Sequence, residues 1–124
     1  MIQVSVGQEE KEFISFIEKA LTKLAKEDYD SFLDTFDSSR VTNDGLILAL
    51  RYLDEDYPIT KIDDPTKIKC SKQCISVGQY NDGDGYWMDY DLTTDGELND
   101  LTIHVEFLRQ GEYYSVSLED LHTM

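Results

Sequence analysis

The sequence predicts an α+β fold in which three N-terminal helices pack on a curved antiparallel meander of four to five strands. Apolar residues recur every three or four positions as far as residue 57, and they alternate with polar residues in the second half. Asp-Gly and Gln-Gly pairs separate the alternating runs, as tight hairpin turns do. We therefore expect residues 1–124 to form a single α+β domain, with helices at about 8–57 and the sheet at about 67–119.

Three amphipathic segments predict the helices. The first is expected over residues 8–26, with acidic residues in its first turn and lysines near its end, as the helix dipole favours. A short second helix is expected over residues 28–36, capped by the aspartate at its first position. The third begins near Thr42 or Asn43 and ends at the acidic run 54–56.

The second half of the chain predicts short strands after a loop over residues 59–66. The expected strands are Lys67–Cys70, Cys74–Tyr80, Tyr86–Thr93, Asp100–Leu108 and Tyr113–Leu118. The alternating apolar residues of Met1–Val6 leave two alternatives, an additional edge strand or a loose arm. Cys70 and Cys74 would point to opposite faces, so we expect free thiols and neither a disulfide nor a metal site.

Tight turns at Asp82-Gly83, Asp95-Gly96 and Gln110-Gly111 predict a register for each hairpin. The expected partners include Val77 with Met88, Met88 with Ile103, and Ile103 with Leu118. A slip by one residue would move every side chain to the other face, but these three registers agree on one apolar set. The residues expected to face the core are Ile75, Val77, Met88, Tyr90, Leu101, Ile103, Val105, Phe107, Tyr114, Val116 and Leu118.

The opposite face of the predicted sheet is acidic. Its expected residues are Ser76, Gly78, Trp87, Asp89, Asp91, Thr102, His104, Glu106, Ser115, Ser117 and Glu119. The expected pairs on this face are Trp87 with His104, His104 with Ser117, and Asp91 with Asp100. The pair of Asp91 and Asp100 is unfavourable, and such a pair is tolerated more readily when a cationic partner neutralises it.

The net charge of −15 limits the classes of function. It excludes general nucleic-acid binding, which needs clusters of Lys and Arg, and it disfavours docking on anionic lipid. Residues 81–124 contain eleven acidic residues and one basic residue, so the acid is concentrated on the predicted sheet. No apolar run is long enough to span a membrane and Met1–Gly7 lacks the features of a signal peptide, so we expect a cytoplasmic protein.

The order of these elements resembles the NTF2-like or cystatin-like α+β roll. The resemblance lies in the long helix 8–26, the short helix 28–36 directly after it, and the terminal meander Ile75–Leu118. It implies helices that cover the apolar face of the sheet and a cavity between the layers, as in small-ligand binders and isomerases of that class. The predicted inward residues contribute only two tyrosine hydroxyls as polar groups, so we expect a filled core instead of a cavity.

Size, acidity and fold class also resemble those of small immunity proteins in bacterial contact-dependent and other polymorphic toxin systems. The resemblance implies a protein that binds and blocks one cognate toxin domain, often a basic nuclease. The expected partner-binding residues are Trp87, Asp89, Asp91, His104, Glu106, Glu119, Asp82 and Asp84. Their carboxylates would imitate phosphates, and the tryptophan would supply an anchor.

Simpler interpretations stand beside this one. The acidic face could serve solubility alone, Trp87 could be covered by another segment, and Asn81–Gly85 could be a hairpin turn instead of a calcium loop. No nucleophile motif accompanies His104, so we expect neither catalysis nor a cofactor. We expect first a binding protein for a basic partner, second an NTF2-like ligand binder or enzyme, and third a general interaction domain. The acidic segment 54–64 is the other candidate interface.

Overall fold

The computed structural model describes residues 1–67 and 75–123 and confirms the α+β fold class. In chain order the elements are β1 (Ile2–Gln3), α1 (Glu9–Ala25), α2 (Tyr29–Asp34), β2 (Ser38–Ser39), α3 (Asn43–Leu50), β3 (Ile75–Gln79), β4 (Gly85–Thr94), β5 (Glu97–Gln110) and β6 (Tyr113–Thr123). Cys70 and Cys74, and all but the first residue of the predicted strand Lys67–Cys70, lie outside the described residues.

Strands β3 to β6 form the predicted antiparallel meander, and the sheet order is β1-β6-β5-β4-β3. The short strands β1 and β2 both pair with β6, the first antiparallel and the second parallel. The N-terminus therefore adds an edge strand, one of the two alternatives expected from its sequence. The six-stranded sheet curls into a half-barrel, an architecture consistent with the NTF2-like resemblance.

The helices begin where the sequence places their caps. The side chain of Asp28 accepts a hydrogen bond from Ser31 N–H (3.3 Å) at the start of α2, and Thr42 accepts one from Gly45 N–H (3.0 Å) at the start of α3. Helix α3 ends at Leu50, earlier than predicted. Among the described residues, none of the helices combines the length and apolar content that spanning a membrane requires.

Both α1 and α3 end in a Schellman motif whose left-handed residue is not glycine. After α1, Glu27 has a φ of 61°, and the N–H of Asp28 donates to the carbonyl oxygen of Lys23 (3.1 Å). After α3, the corresponding residue is Tyr52, with a φ of 53°. An L side chain is strained in this conformation, so the two helix ends carry a local cost that glycine would avoid.

The register between β3 and β4 is the predicted one, with Val77 opposite Met88. The β4–β5 hairpin is also as predicted beside its turn, where Thr94 pairs with Glu97. Both residues of the Asp95-Gly96 turn have positive φ values (52° and 84°), as a type I′ turn requires.

Farther from this turn the predicted β4–β5 register is wrong by two residues. Leu92 of β4 lies opposite the three residues 99–101 of β5, a bulge in which Asp100 adopts a φ of 66°. Met88 therefore lies opposite Val105 and not opposite Ile103. A slip of two residues keeps each side chain on its face, because the side-chain period of a strand is two.

The β5–β6 register differs from the prediction in the same way. Gln110 pairs with Tyr113, so the turn residues are Gly111-Glu112 and not Gln110-Gly111. Every pair next to this turn is shifted by two residues. A second bulge follows between His104 and Val105, where β6 contains Glu119 as an extra residue.

The side chains that were predicted to face the core do so. Met88, Ile103, Val105, Phe107, Val116 and Leu118 have no exposed surface, and Tyr90 and Leu101 have at most 1%. Helix α1 covers them, and the ring of its Phe13 stacks on Phe107 with the centroids 4.0 Å apart. Each fully buried side chain of this size contributes about 1.5–3 kcal/mol, so this layer is the main source of stability.

A buried aspartate ties the loop after α3 to the β4–β5 hairpin. Asp63 is 4% exposed, and its carboxylate accepts hydrogen bonds from the Thr93 hydroxyl (2.8 Å) and from the N–H groups of Asp95 (2.9 Å) and Gly96 (2.8 Å). Burial alone would raise the pKa of Asp63, but the three hydrogen bonds and Lys61 together hold that pKa below its ordinary value.

Candidate functional site

The outward face of the sheet carries three rows of side chains at matching register positions. The first row is Gly78, Trp87, Glu106 and Ser117; the second is Ser76, Asp89, His104 and Asp120; the third is Asp91, Thr102 and His122. On β4 these residues alternate with Met88 and Tyr90, which are buried on the helix side. The candidate residues therefore point away from the helices, and most of them are half-buried.

Trp87 packs across the neighbouring strand. A Cβ atom placed on Gly78 would lie 2.4 Å from the indole Cε2 atom, so the space that the ring occupies exists because residue 78 has no side chain. The indole is half-buried. A large aromatic side chain fixed on an outward face is typical of anchors in protein interfaces.

Two outward acids of β4 are paired with side chains of β5. Nδ1 of His104 lies 2.6 Å from Oδ1 of Asp89, and the hydroxyl of Thr102 donates to Asp91 (2.7 Å). The side chains of Asp89 and His104 remain 41% and 33% exposed. These acids are therefore positioned by the sheet and still accessible to a partner.

The pairs predicted on this face are wrong, because the bulge between β4 and β5 and the different turn between β5 and β6 each displace the register by two residues. Trp87 lies opposite Glu106, and Asp91 lies opposite Thr102, so the unfavourable pair of two aspartates does not form. Ser117 also lies opposite Glu106 and not opposite His104. The predicted neighbourhood of a serine and a histidine, the only arrangement that suggested catalysis, is absent from these register positions.

Glu106 and Glu119 lie on the outward face, and their carboxyl groups are close enough to influence each other's pKa. The hydroxyl of Tyr80 donates to Oε2 of Glu106 (2.5 Å). On the other side, Nε of Arg40 lies 2.9 Å from Oε2 of Glu119 and forms an ion pair with it. We call these four residues, together with Trp87, Asp89, Asp91 and His104, the outer-face cluster.

Interaction between the two carboxyl groups shifts their pKa values in opposite directions. Hydrogen bonds from Glu119 and Tyr80 lower the pKa of Glu106 more than burial raises it. The hydrogen bond to Glu106, burial and the neighbouring charge raise the pKa of Glu119, although Arg40 opposes them. Burial and the bond to Glu106 raise the pKa of Tyr80 to about 12, so its hydroxyl stays neutral and donates.

This arrangement is suited to binding a cation. A Lys or Arg side chain placed between the two glutamates would present a full positive charge to both carboxyl groups. Trp87 offers an aromatic surface in the same row as Glu106, against which the aliphatic part of such a side chain can pack. The cluster thus combines acceptors with an apolar anchor.

The other two predicted partner-binding residues lie apart from this arrangement. Asp82 and Asp84 are exposed in the loop between β3 and β4, where the N–H of Asp84 donates to Asp82 (3.0 Å). Sequence reasoning missed Tyr80 and Arg40. The alternation of β3 gave a weak signal for Tyr80, but Arg40 reaches Glu119 from 79 positions away, which no local pattern reveals.

Other kinds of site find little support in the described residues. No group of three or more His, Cys, Asp or Glu side chains in residues 1–67 and 75–123 is arranged to hold a metal ion. Grooves of about 530–620 Å³ there lie on the surface: along α1, beside the β5–β6 turn, and along α3. The layer between helices and sheet is filled by buried side chains.

Comparison with known proteins gives a family and no described activity. The family described as "Domain of unknown function (DUF7668)" matches residues 21–124, so the chain belongs to that family. The match covers strands β2 to β6, helices α2 and α3, and the last part of α1. No curated protein and no solved structure matches the chain.

Proposed function

We propose that this member of the DUF7668 family binds and neutralises a basic protein partner, in the manner of an immunity protein that blocks a toxin nuclease domain. The observation that carries the proposal is the outer-face cluster. It presents several carboxylates and a half-buried tryptophan on one face of a sheet whose other face is covered by helices. Such a face is accessible, rigid and chemically specific.

The charge of the chain selects the partner. With 26 acidic and 11 basic residues, the protein repels nucleic acid and anionic surfaces and attracts cationic ones over distances of about a Debye length, roughly 8–10 Å at moderate salt. A nuclease domain carries its Lys and Arg residues where its substrate phosphates bind. Carboxylates that occupy this region would block the substrate and inhibit the enzyme.

The hydrogen bonds that orient the acidic side chains favour specific binding over non-specific electrostatic attraction. Asp89 is oriented by His104, and Glu106 is oriented by Tyr80. A fixed carboxylate loses less entropy on binding than a free one, so pre-organised acids discriminate better between arrangements of cations. Trp87 adds the central apolar contact that strong interfaces need.

The glutamate pair makes the proposed binding dependent on pH. Because the pKa of Glu119 is raised in the free protein, a bound Lys or Arg must compete with a proton there at acidic pH. Affinity should therefore increase as the pH rises through that pKa. In a Glu119→Gln variant this contribution is missing, so its dissociation constant should change less than that of the wild type between about pH 4.5 and pH 7. Equal pH profiles for the two proteins would contradict this role of the glutamate pair.

Capture of a partner from the source cells tests the proposal. The immobilised chain should retain a basic protein at low ionic strength and release it at high ionic strength. A triple variant with Asp89→Asn, Asp91→Asn and Glu106→Gln keeps the shapes of the side chains and removes three charges. It should retain at least tenfold less of that protein.

A control variant separates the face from the total charge. Asp34→Asn, Glu97→Gln and Glu112→Gln remove three charges from exposed positions outside the outer-face cluster. This control should bind like the wild type. If both triple variants lose the partner equally, the net charge and not this face is responsible; if neither loses it, the outer-face cluster is not the interface.

A further inference from the structure

The turn that follows α3 exposes three large apolar side chains within six residues. Tyr52 is 38% exposed, Leu53 is 66% exposed and Tyr57 is 56% exposed. Other exposed large apolar side chains of the described residues include Leu98, Leu108 and Tyr113, which lie in strands β5 and β6. Clustered exposure of this kind marks surfaces that another molecule covers.

The backbone holds two of these side chains in place. The N–H of Leu53 donates to the carbonyl oxygen of Leu48 (2.9 Å), which closes the Schellman motif. Tyr52 occupies the left-handed position of that motif, and its hydroxyl donates to the carbonyl oxygen of Asn99 (2.5 Å). The aromatic ring is thus fixed to the end of the sheet, and Leu53 projects from a rigid support.

A groove that includes Ile47 and Leu48 lies beside this turn. It has a volume of about 620 Å³ and is lined by Asp44, Gly45, Ile47, Leu48, Arg51, Glu55 and Asp56. Helix α3 is apolar on nearly all sides, and such a helix is normally buried all round. Here Ile47 and Leu48 are only partly buried, so one side of the helix is still partly exposed to solvent.

The charges around the groove favour a basic binding partner. Acids surround it at Asp44 and in the run 54–56, whereas its only lining base, Arg51, already donates to the carbonyl oxygen of Glu55 (2.9 Å). A second copy of this chain would bring like charges together, and phosphate groups would be repelled. A segment with apolar side chains on one face and Lys or Arg around them would complement both the exposed apolar side chains and the surrounding acids.

We propose that the α3 patch, formed by Tyr52, Leu53, Tyr57 and the groove beside them, docks a basic amphipathic segment of a protein partner. This surface is separate from the outer-face cluster, because α3 belongs to the helical layer on the other side of the sheet. The inference rests on the proposed function only in that it assigns a basic partner to the chain.

A synthetic probe tests the α3 patch directly. The probe is a fluorescently labelled helical peptide with leucines at three- and four-residue spacing and lysines elsewhere, and its binding is followed by anisotropy. The variant Leu53→Ser with Tyr57→Ser should weaken binding at least tenfold. Leu108→Ser with Tyr113→Ser, which removes two comparably exposed side chains elsewhere, should leave it unchanged. Urea unfolding of each variant verifies that the fold is intact.

The single tryptophan distinguishes the two surfaces. Trp87 lies in the outer-face cluster, so its emission should stay constant while the peptide fills the α3 patch. A shifted emission, together with lost binding in the outer-face triple variant, would place the peptide on the sheet: the proposed function would stand and this inference would fall. Absence of binding to the wild type, equal losses in both double variants, or self-association abolished by Leu53→Ser would also overturn it.

Discussion

Asp63 shows how one side chain can organise a distant hairpin. Its carboxylate lies in the loop after α3, yet it satisfies two turn N–H groups and a hydroxyl that are 30 to 33 positions away. A buried carboxylate with three donors is stable only while it is charged and fully bonded. The residue therefore links the helical half of the chain to the sheet.

Replacing Asp63 by Ala should destabilise the protein by about 2–4 kcal/mol, because the buried Thr93 hydroxyl and two partly buried N–H groups lose their acceptor. The measurement is the free energy of unfolding in urea. Asp95→Asn provides the control: that side chain is 80% exposed, and Asn tolerates the left-handed backbone of the turn. The control should change stability by less than about 0.5 kcal/mol; a similar cost for both would contradict the role given to Asp63.

The cost of Asp63→Ala should also depend on pH. The pKa of this carboxyl group is lower in the folded protein than its ordinary value of about 3.9 in the unfolded chain. Its contribution is therefore complete above that ordinary value and disappears as the pH falls through the folded pKa. The difference in unfolding free energy between wild type and variant should shrink below about pH 4. A difference that grows on acidification would contradict this.

The variant Gly78→Ala tests whether the indole ring of Trp87 packs over residue 78. The added methyl group would meet ring atoms of Trp87 at 2.4–2.5 Å, so the ring must move. We expect a destabilisation of about 1–3 kcal/mol and a change in the emission of the only tryptophan. Ser76→Ala, at the next outward position of the same strand, should alter neither. Unchanged emission in Gly78→Ala would mean that the ring does not lie over this glycine.

At the residue level, the sequence predicts which side chains point outward but not which of them meet. Alternation correctly places Trp87 and His104 on the face opposite the core. It cannot pair Arg40 with Glu119, or Asp63 with Gly96, because those contacts depend on how the whole chain folds back. The outer-face cluster was therefore predictable as an acidic face and not as a set of partners.

At the scale of elements, the helix ends contain residues whose conformational preference does not match the backbone they adopt. Glu27 occupies a left-handed position that glycine takes at low cost, and its negative charge lies at the unfavourable end of the α1 dipole. Glu27→Gly should stabilise the protein by about 0.5–1 kcal/mol. Glu27→Ala removes the charge and keeps the strain, so the difference between the two variants isolates the backbone term. Thermal unfolding measures it, and a Gly variant less stable than the Ala variant would contradict the strain.

The strands show the limits of register prediction. The Asp95-Gly96 turn was predictable because two positive φ values favour this residue pair. The bulge at Asp100 was not, because a slip of two residues leaves the apolar pattern of both strands unchanged. The β5–β6 turn failed for the same reason, since a glycine such as Gly111 suits either of two adjacent turn positions. The alternation of apolar and polar residues predicts which face each side chain occupies, but it does not predict which residues pair across neighbouring strands.

At the scale of the molecule, the sheet separates two environments. Its inner face and α1 form a filled apolar layer, and its outer face carries the acidic cluster. Because the helices cover only one side, a partner can reach the outer face without any rearrangement of the core. The net charge of −15 would then steer the proposed basic partner towards the protein.

The most direct test of the central claim is the association rate of the captured partner as a function of salt. It is measured between about 20 mM and about 500 mM NaCl for the wild type, the outer-face triple variant and the control triple variant. We predict a rate that falls at least tenfold with salt for the wild type and the control, and a slower rate with a weaker salt dependence for the outer-face variant. A rate independent of salt, or the same salt dependence in all three proteins, would contradict binding through this face.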